Sequence, residues 1–231
     1  MRRDPSTWLE VTNKSMSQNL ANAIIRLLHC GGFATRHPVH SLRAARAVHS
    51  LAMAQPRIIG GAAKGRVLET PERGTRPSPS RLREALFNIL GFHPRGSFLD
   101  LYSGSGAVGL EAASRGWEAT CVDLSREAAS VIRKNARNVK LDVAVVQGDA
   151  LRFARQHPKA YDIVFAAPPY PLDLTDIFQQ ILAAGTARDL YIFQHPVSLV
   201  PALLAGADRR VYGSNALSLL EAAELPDVGS P

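Results

Sequence analysis

Apolar runs alternate with helical patterns from residue 97 onward. Short runs rich in β-branched and aromatic residues predict strands, and segments with apolar residues every three or four positions predict helices. The predicted strands cover residues 97–101, 119–123, 143–147, 161–166 and 189–193. The predicted helices cover residues 107–115, 125–138, 150–157, 173–184 and 197–205. Apolar strands separated by helices predict a parallel sheet that is covered on both faces.

The end of this region follows a different pattern. Residues 208–212 and 216–222 predict two strands joined by Gly213-Ser214-Asn215, which is an antiparallel hairpin at the sheet edge. Five strand–helix units with a terminal hairpin are the layout of a class I methyltransferase rather than of a symmetrical six-stranded dinucleotide domain. The predicted fold class is therefore α/β, a Rossmann-like three-layer sandwich whose mostly parallel sheet ends in an antiparallel hairpin.

A smaller unit precedes the sheet. Residues 57–68 predict a short hairpin with glycines at its turn and basic residues beside it. Ser80 is the predicted N-cap of an apolar helix that runs to Leu90. The predicted organisation comprises a leader (1–56), a basic hairpin and helix (57–95), the main domain (96–225) and a tail (226–231).

Charge is distributed unevenly over these parts, although the whole chain carries only +7. Residues 1–56 hold seven Lys/Arg and two Asp/Glu, and residues 57–95 hold eight and three, so each part carries +5. Residues 96–231 hold twelve and fifteen and carry −3. A basic segment ahead of a slightly acidic domain is typical of a protein with a polyanionic partner, although a solvated charged face is the alternative.

The leader differs from the rest of the chain in composition. It is rich in Ser, Ala, Arg and His and poor in acidic residues, which resembles a transit peptide. Met53 begins a natural-looking protein start, so we expect residues 1–52 to be a disordered extension or the product of a start codon set too far upstream. The two cysteines, Cys30 and Cys121, form no CxxC pair, which indicates a reducing, cytoplasmic setting and no zinc site.

The strongest chemical signal is a glycine-rich stretch after the first predicted strand. Residues 98–109 read FLDLYSGSGAVG, with Gly104, Gly106 and Gly109 at the GxGxxG spacing that lets a backbone turn sharply beside a ligand. Asp100 precedes the turn, where nicotinamide-binding loops usually carry apolar or small residues. A carboxylate suits a cationic ligand such as S-adenosylmethionine, which offers an ammonium and a sulfonium group.

Further polar residues follow the other predicted strands. Asp123 ends the second strand, where a carboxylate can bridge ribose hydroxyls, and Asp149 follows the third, where it can accept from an adenine amino group. Either aspartate could instead be a helix cap, and for Asp149 the two interpretations are equally supported. Because ligands bind at the carboxyl ends of such strands, these residues together predict a nucleoside-shaped groove. The predicted cofactor-binding residues are Asp100, Tyr102, Gly104, Ser105, Gly106, Gly109, Asp123, Leu124, Asp149 and Ala150.

From Arg57 to about Ala222 the chain resembles the bacterial 16S rRNA (guanine-N2)-methyltransferases of the RsmD type. The segments that carry the resemblance are RIIGGAAKGRVLETP, TRPSPSRLREALFNIL, FLDLYSGSGAVGLEAASRG, a PPY triplet at 168–170 and YGSNALSLLEA near the end. The first two are quite specific, whereas many methyltransferases share the glycine loop. The resemblance implies S-adenosylmethionine as the methyl donor and one guanine of small-subunit rRNA as the target.

The resemblance also implies the catalytic residues, which are Ala167, Pro168, Pro169 and Tyr170. In the family this tetrad begins with Asp or Asn, whose side chain accepts a hydrogen bond from the target amine while the next backbone carbonyl supplies a second acceptor. Tyr170 would stack on a base that has left its own stack. Ala167 has no side-chain acceptor, so this chain departs from the family at the position that bears on rate, target and activity.

The expected partner is 16S rRNA in a 30S subunit or an assembly intermediate, bound by a monomer with no membrane contact. The predicted RNA-binding residues are Lys64, Arg66, Arg76, Arg81 and Arg83. A non-catalytic RNA-binding assembly factor is one alternative, favoured by Ala167. The basic hairpin and the TRPSPSR segment argue against a DNA amino-methyltransferase, and Asp100 and the tetrad argue against a nicotinamide dehydrogenase.

Overall fold

The computed structural model describes residues 55–72, 78–199 and 202–225. Residues 1–54, the tail at 226–231 and Arg76 lie outside the described residues, so the predictions made for them remain predictions. All described residues belong to one compact unit, Ala54–Pro231. Within this part of the chain, no helix combines the length and the apolar character that crossing a membrane requires.

Seven strands form one sheet in the order β3-β2-β1-β4-β5-β7-β6. Strands β1 to β5 run parallel, whereas β7 lies antiparallel between β5 and β6. This confirms the predicted α/β fold with a mostly parallel sheet and a C-terminal antiparallel hairpin. The strands are β1 (Ser97–Leu101), β2 (Glu118–Asp123), β3 (Ala144–Gln147), β4 (Tyr161–Ala166), β5 (Ala187–Pro196), β6 (Asp208–Tyr212) and β7 (Asn215–Glu221).

In the described part of the chain, five α-helices cover the two faces of the sheet. Because successive strand residues point to opposite faces, Leu99 of β1 packs in one apolar cluster and its neighbour Phe98 in the other. Helices α4 and α5 contribute to the Leu99 cluster, and α1 and α2 contribute to the Phe98 cluster. The helices are α1 (Ser80–Ile89), α2 (Ala107–Ser114), α3 (Arg126–Val139), α4 (Ala150–Gln156) and α5 (Leu174–Ala183).

Two predicted features differ from the structure. The helix predicted at 197–205 is wrong, because the described part of that segment contains only a 3-10 turn, Ala202–Leu204. Pro201 in the sequence acts against a continuous helix over this range, because proline has no N–H and disfavours helical geometry in the residue before it. The predicted N-cap at Ser80 is also wrong: Ser80 is the first helical residue and Pro79 is the cap.

The segment 55–72 packs on α2 and α3 rather than extending away from the sheet. The predicted hairpin is reduced to a single antiparallel bridge between Arg57 and Val67. Ile58 and Leu68 are buried in an apolar cluster with Leu110 of α2 and Val139 of α3. Apolar contacts therefore hold this segment, with its exposed charged residues, against the main domain.

A buried glutamate fastens the segment to α2. Glu111 has no exposed surface, and its carboxylate accepts hydrogen bonds from the backbone N–H of Ile59 at 2.6 Å and of Gly60 at 2.8 Å. It also forms an ion pair with Arg115, N–O distance 2.8 Å. One fully buried carboxylate thus satisfies two partly buried backbone donors and one guanidinium.

We expect Glu111→Ala to lower the free energy of unfolding by about 2 kcal/mol or more, because it leaves two partly buried backbone donors and the Arg115 guanidinium without a partner. Chemical denaturation followed by circular dichroism measures this loss. Glu118→Ala, at an exposed position on β2, is the matched control and should change stability by about 0.5 kcal/mol or less. Equal stabilities of the two variants would contradict the anchoring role.

Candidate active site

The candidate site lies at the carboxyl ends of β1 and β4, where the strand order reverses. Leu101 at the end of β1 pairs with Ala166 at the end of β4. The glycine loop that follows β1 and the tetrad that follows β4 are therefore neighbours at the same sheet edge. Open α/β sheets bind ligands at this switch point.

The glycine loop needs its glycines for steric reasons. Gly106 has φ +75°, a left-handed conformation, and caps the N-terminus of α2. A Cβ atom on Gly109 would overlap the sulfur of Cys121 on the neighbouring strand β2. The loop is thus held tightly against the sheet, and the first N–H groups of α2 face the carboxyl edge of the strands.

Asp100 is buried directly beneath this loop. It is 1% exposed, and its Oδ2 accepts a hydrogen bond from the Gly109 N–H at 2.9 Å. Burial raises the pKa of Asp100 to about 7, and the negative charge of Asp123 adds to this while the Gly109 hydrogen bond opposes it. A carboxylate that is costly to charge in the free protein gains from the arrival of a cationic ligand.

Asp123 holds the loop from the end of β2. Its Oδ2 accepts from the Gly104 N–H at 2.8 Å, and its Oδ1 accepts from the Ser125 N–H at 2.9 Å. The next side chain, Leu124, is 70% exposed although it is apolar. An exposed leucine beside a fixed carboxylate suits a nucleoside, whose ribose is polar and whose base has apolar faces.

The other predicted cofactor residues complete the groove. Asp149 is the N-cap of α4, where it accepts from the Arg152 N–H at 2.7 Å, so its capping interpretation is confirmed and its adenine contact stays a prediction. Burial raises the pKa of the Tyr102 hydroxyl to about 12, and the negative charge of nearby Asp149 contributes to the same shift. Ala150 and Ser105 are buried.

These residues fit S-adenosylmethionine by the chemistry of their side chains. Three carboxylates lie at the carboxyl ends of neighbouring strands: Asp100 within β1, Asp123 at the end of β2 and Asp149 after β3. Of these, Asp100 suits the cationic part of the ligand. Glycines in the loop after β1 leave room for a ligand close to the backbone, where a larger side chain would block it. Among the described residues, no cluster of three or more His, Cys, Asp or Glu is arranged to hold a metal ion.

The tetrad leaves β4 beside this groove. Pro168 is buried, Ala167 is partly buried, and Pro169 and Tyr170 are exposed, with Tyr170 46% exposed. No described residue donates a backbone hydrogen bond to the Pro168 carbonyl, so that oxygen is available as an acceptor. The Tyr170 hydroxyl donates to the Oδ1 of Asn215, which fixes the exposed ring at the groove.

Two contacts at the site were not predicted from the sequence. Asn215 reaches Tyr170 from the turn of the β6–β7 hairpin because Asn215 pairs with Pro196 at the end of β5. Ser78, just ahead of α1, donates to Gln194 on β5 at 2.7 Å. The order of strands would have located Asn215, since the turn of a terminal hairpin next to β5 must lie at this edge.

The predicted RNA-binding residues differ in their exposure to solvent. Lys64, Arg66 and Arg81 are exposed. Arg83 has no exposed surface and donates to the Arg57 carbonyl at 2.9 Å, so the prediction that it holds an RNA backbone is wrong. Burial lowers the pKa of Arg83, and nearby Glu111 opposes that shift. Arg83 is a structural residue between α1 and segment 55–72.

The mostly parallel seven-stranded sheet with its antiparallel β7, and the glycine loop with a buried aspartate, are features of the class I methyltransferase fold. The family model described as Conserved hypothetical protein 95 matches residues 56–218. The chain therefore belongs to this family, which is that of the RsmD-type methyltransferases.

Individual relatives agree with this assignment. The chain is 41% identical over 120 residues to the ribosomal RNA small subunit methyltransferase D of Escherichia coli K12, covering 50% of this chain and 61% of that protein. It is 32% identical over 133 residues to the protein of the same name from Haemophilus influenzae, covering 54% and 69%. A solved structure of a hypothetical protein from Thermus thermophilus is 44% identical, with a TM-score of 0.65 over 71% of this chain and 98% of that one.

Proposed function

We propose that this protein uses S-adenosylmethionine to methylate the exocyclic N2 of a guanine in 16S rRNA. The observation that carries the proposal is the meeting, at one sheet edge, of the acidic glycine-loop groove and the Pro168–Tyr170 segment. The name of the Escherichia coli relative supports small-subunit rRNA as the substrate. A 30S subunit or an assembly intermediate is the proposed form of that substrate, and a monomer is the proposed form of the enzyme.

The groove residues would hold the cofactor in three places. Asp100 and the N–H groups at the start of α2 would bind its amino-acid part, Asp123 its ribose, and Leu124 with the segment around Asp149 its adenine. S-adenosylmethionine supplies a methyl group already activated by the sulfonium. The protein therefore needs no covalent intermediate, and its contribution is to align the acceptor amine with that methyl group.

The tetrad would hold that amine. The N2 lone pair of guanine is delocalised into the ring, and a hydrogen bond from the amine to the Pro168 carbonyl favours the pyramidal form in which the lone pair can react. Tyr170 would stack on the base after it leaves its own stack. The amine proton would pass to solvent, because Ala167 offers no side-chain acceptor.

The basic segment would bind the rRNA backbone through Lys64, Arg66 and Arg81, with Arg76 as a further proposed contact. Their charges would release counterions from the phosphates, so binding should weaken steeply with salt. Specificity for one guanine would then come from the site rather than from these contacts.

The proposal is tested with 30S particles and 16S rRNA from cells that lack the modification. Incubation with S-adenosylmethionine should add one methyl group, and mass mapping should locate it on the N2 of a single guanine. Calorimetry should show binding of S-adenosylmethionine and its demethylated product, and neither NAD nor ATP. Methylation of a different atom would refute the target, and binding of NAD alone would refute the cofactor.

Ala167 favours a second candidate function, that of an RNA-binding assembly factor without methyl transfer. Its missing acceptor is the observation on which this alternative depends. Single-turnover assays, with the protein in excess over 30S particles, separate the two functions. An assembly factor would bind the particles but transfer no methyl group.

Tyr170→Ala should slow single-turnover methylation by roughly 5- to 150-fold, since stacking a base on an aromatic ring contributes about 1–3 kcal/mol. Tyr170→Phe should retain most of the rate because the ring remains, and should match Asn215→Ala, which removes the same hydrogen bond. Glu118→Ala, at an exposed position at the start of β2 and away from the carboxyl ends of the strands, is the control. An unchanged rate in Tyr170→Ala would mean that the target base lies elsewhere.

A further inference from the structure

The outer face of α3 carries three arginines in one line. Arg126, Arg133 and Arg137 are separated by seven and four residues and are all exposed. At about 100° per residue these positions fall within roughly 40° of one another, and they span about 16 Å of the helix axis. They are called the α3 basic face below.

The charges of the α3 basic face are not neutralised within the described part of the chain. The ion pairs there are Arg115–Glu111, Lys134–Glu69, Arg188–Asp162 and Arg210–Asp208, and none includes a residue of this face. Arg133 uses one nitrogen to donate to the neutral Val145 carbonyl at 2.9 Å. Lys134, one position away from Arg133, is paired with Glu69 and is therefore excluded from the face.

The stability of the helix does not account for this arrangement. A cation in the last turn is favourable, which would explain Arg137, but a cation at the first helical residue opposes the helix dipole. Arg126 occupies that first position. Its placement is better explained by an anion that binds from outside.

The face connects two regions already described. Arg126 comes three residues after Asp123, so one end of the face lies beside the cofactor groove. At the other end of α3, Arg66 donates to the Asn138 carbonyl at 2.8 Å, which places the basic residues of segment 55–72 next to Arg137. Exposed arginines therefore lie along α3 from Arg126, near the groove, to Arg137, and Arg66 lies beside the far end of the helix.

We infer that the α3 basic face binds the phosphate backbone of the substrate RNA between the methylation site and segment 55–72. This inference rests on the proposed function, because it takes RNA as the partner. Since α3 has 14 residues, RNA that follows the face to Arg66 would extend about 20 Å beyond the groove end of the helix. The face thus gives segment 55–72 a role in binding RNA that is distant from the reaction.

The test compares two double variants with the same loss of charge. Arg133→Gln with Arg137→Gln removes two members of the face, whereas Arg155→Gln with Lys159→Gln removes two exposed charges at the end of α4 and just after it, on the opposite side of the sheet. Binding of a 16S rRNA transcript is measured over a range of KCl concentrations. For the Arg133/Arg137 variant, the negative slope of log K against log salt should become shallower by about 1.5. For the control variant, the slope should be nearly unchanged.

A second measurement uses a short single-stranded oligonucleotide that cannot span α3. The difference in affinity between the wild type and the Arg133/Arg137 variant should be smaller for this oligonucleotide than for the transcript. Affinity for S-adenosylmethionine and the melting temperature should stay within error in both variants. Equal salt slopes for the two double variants on the transcript would overturn the inference.

Methyl transfer by the wild type to the same transcript and to 30S particles is measured alongside. No transfer to either substrate would count against the proposed function, while a difference in salt slope would still support the RNA-binding face. Normal transfer with equal slopes would retain the proposed function and reject the face.

Discussion

Replacing Asp100 with asparagine is expected to remove most of the affinity for S-adenosylmethionine. The amide can still accept the Gly109 hydrogen bond, so the loop stays in place, but the charge opposite the cationic ligand is lost. Losing one member of a buried charge pair costs about 2–5 kcal/mol, or roughly 30- to 5000-fold in Kd. Calorimetry at pH 8 measures the change.

The pH dependence supplies a second readout for Asp100. Because burial raises its pKa to about 7, the side chain is mostly neutral at pH 6 and mostly charged at pH 8 in the free protein. Wild-type affinity for the cofactor should therefore rise with pH over this range, and the Asp100→Asn variant should lose that dependence.

The titration of Asp100 also makes the free energy of unfolding depend on pH. The folded-state pKa lies above the ordinary value of 3.8, so the contribution of Asp100 to stability is present below about pH 4 and is lost as the pH rises through 7. Bound cofactor should offset that loss, and its stabilising effect should be larger at pH 8 than at pH 6.

Asp162→Asn is the matched control for both readouts. Asp162 accepts from Ser97 and Arg188 near the start of β4, at the opposite sheet edge, and its pKa lies below the ordinary value although burial opposes that shift. Its loss should lower stability and leave cofactor affinity unchanged. A similar loss of affinity in both variants would mean that Asp100 acts only through folding.

Replacing Ala167 with asparagine is expected to raise the single-turnover rate, by on the order of 100-fold. One well-placed hydrogen-bond partner contributes about that much to a transition state, and Ala167 provides none. Cofactor affinity should not change, because the residue lies on the tetrad side of the site. Ala167→Asp should help less, since a partly buried carboxylate carries a larger desolvation cost.

Ala167→Val is the control, because it adds volume without an acceptor and should not raise the rate. A wild type that is inactive on rRNA and on 30S particles, and that neither polar substitution rescues, would favour the assembly-factor alternative. A gain with valine equal to that with asparagine would indicate packing rather than hydrogen bonding.

Periodicity located most of the sheet because each strand is short, apolar and bounded by polar turns. The predicted 97–101 and 161–166 match β1 and β4 residue for residue. The helix predicted at 197–205 was wrong, because apolar spacing does not reflect the effect of a proline such as Pro201 on the backbone. Periodicity describes which residues can be buried, whereas a proline decides which backbone can form.

The groove was easier to predict than the surroundings of the tetrad. Asp100 and the glycines lie next to each other in sequence, so one local pattern contains them. Tyr170 and Asn215 are 45 residues apart, and only the strand order brings them together. Arg83 was assigned to RNA because local sequence does not distinguish a buried arginine from an exposed one.

The late position of Asn215 in the chain has a consequence for the order in which the parts of the site are made. Synthesis proceeds from the N-terminus, so β1, β2 and the glycine loop leave the ribosome before β7 does. Tyr170 acquires its tether only when β7 inserts between β5 and β6. If the proposed function holds, the part of the site that would hold a base is therefore completed by the last strand to be synthesised, whereas the loop that would hold the methyl donor comes from the first strands.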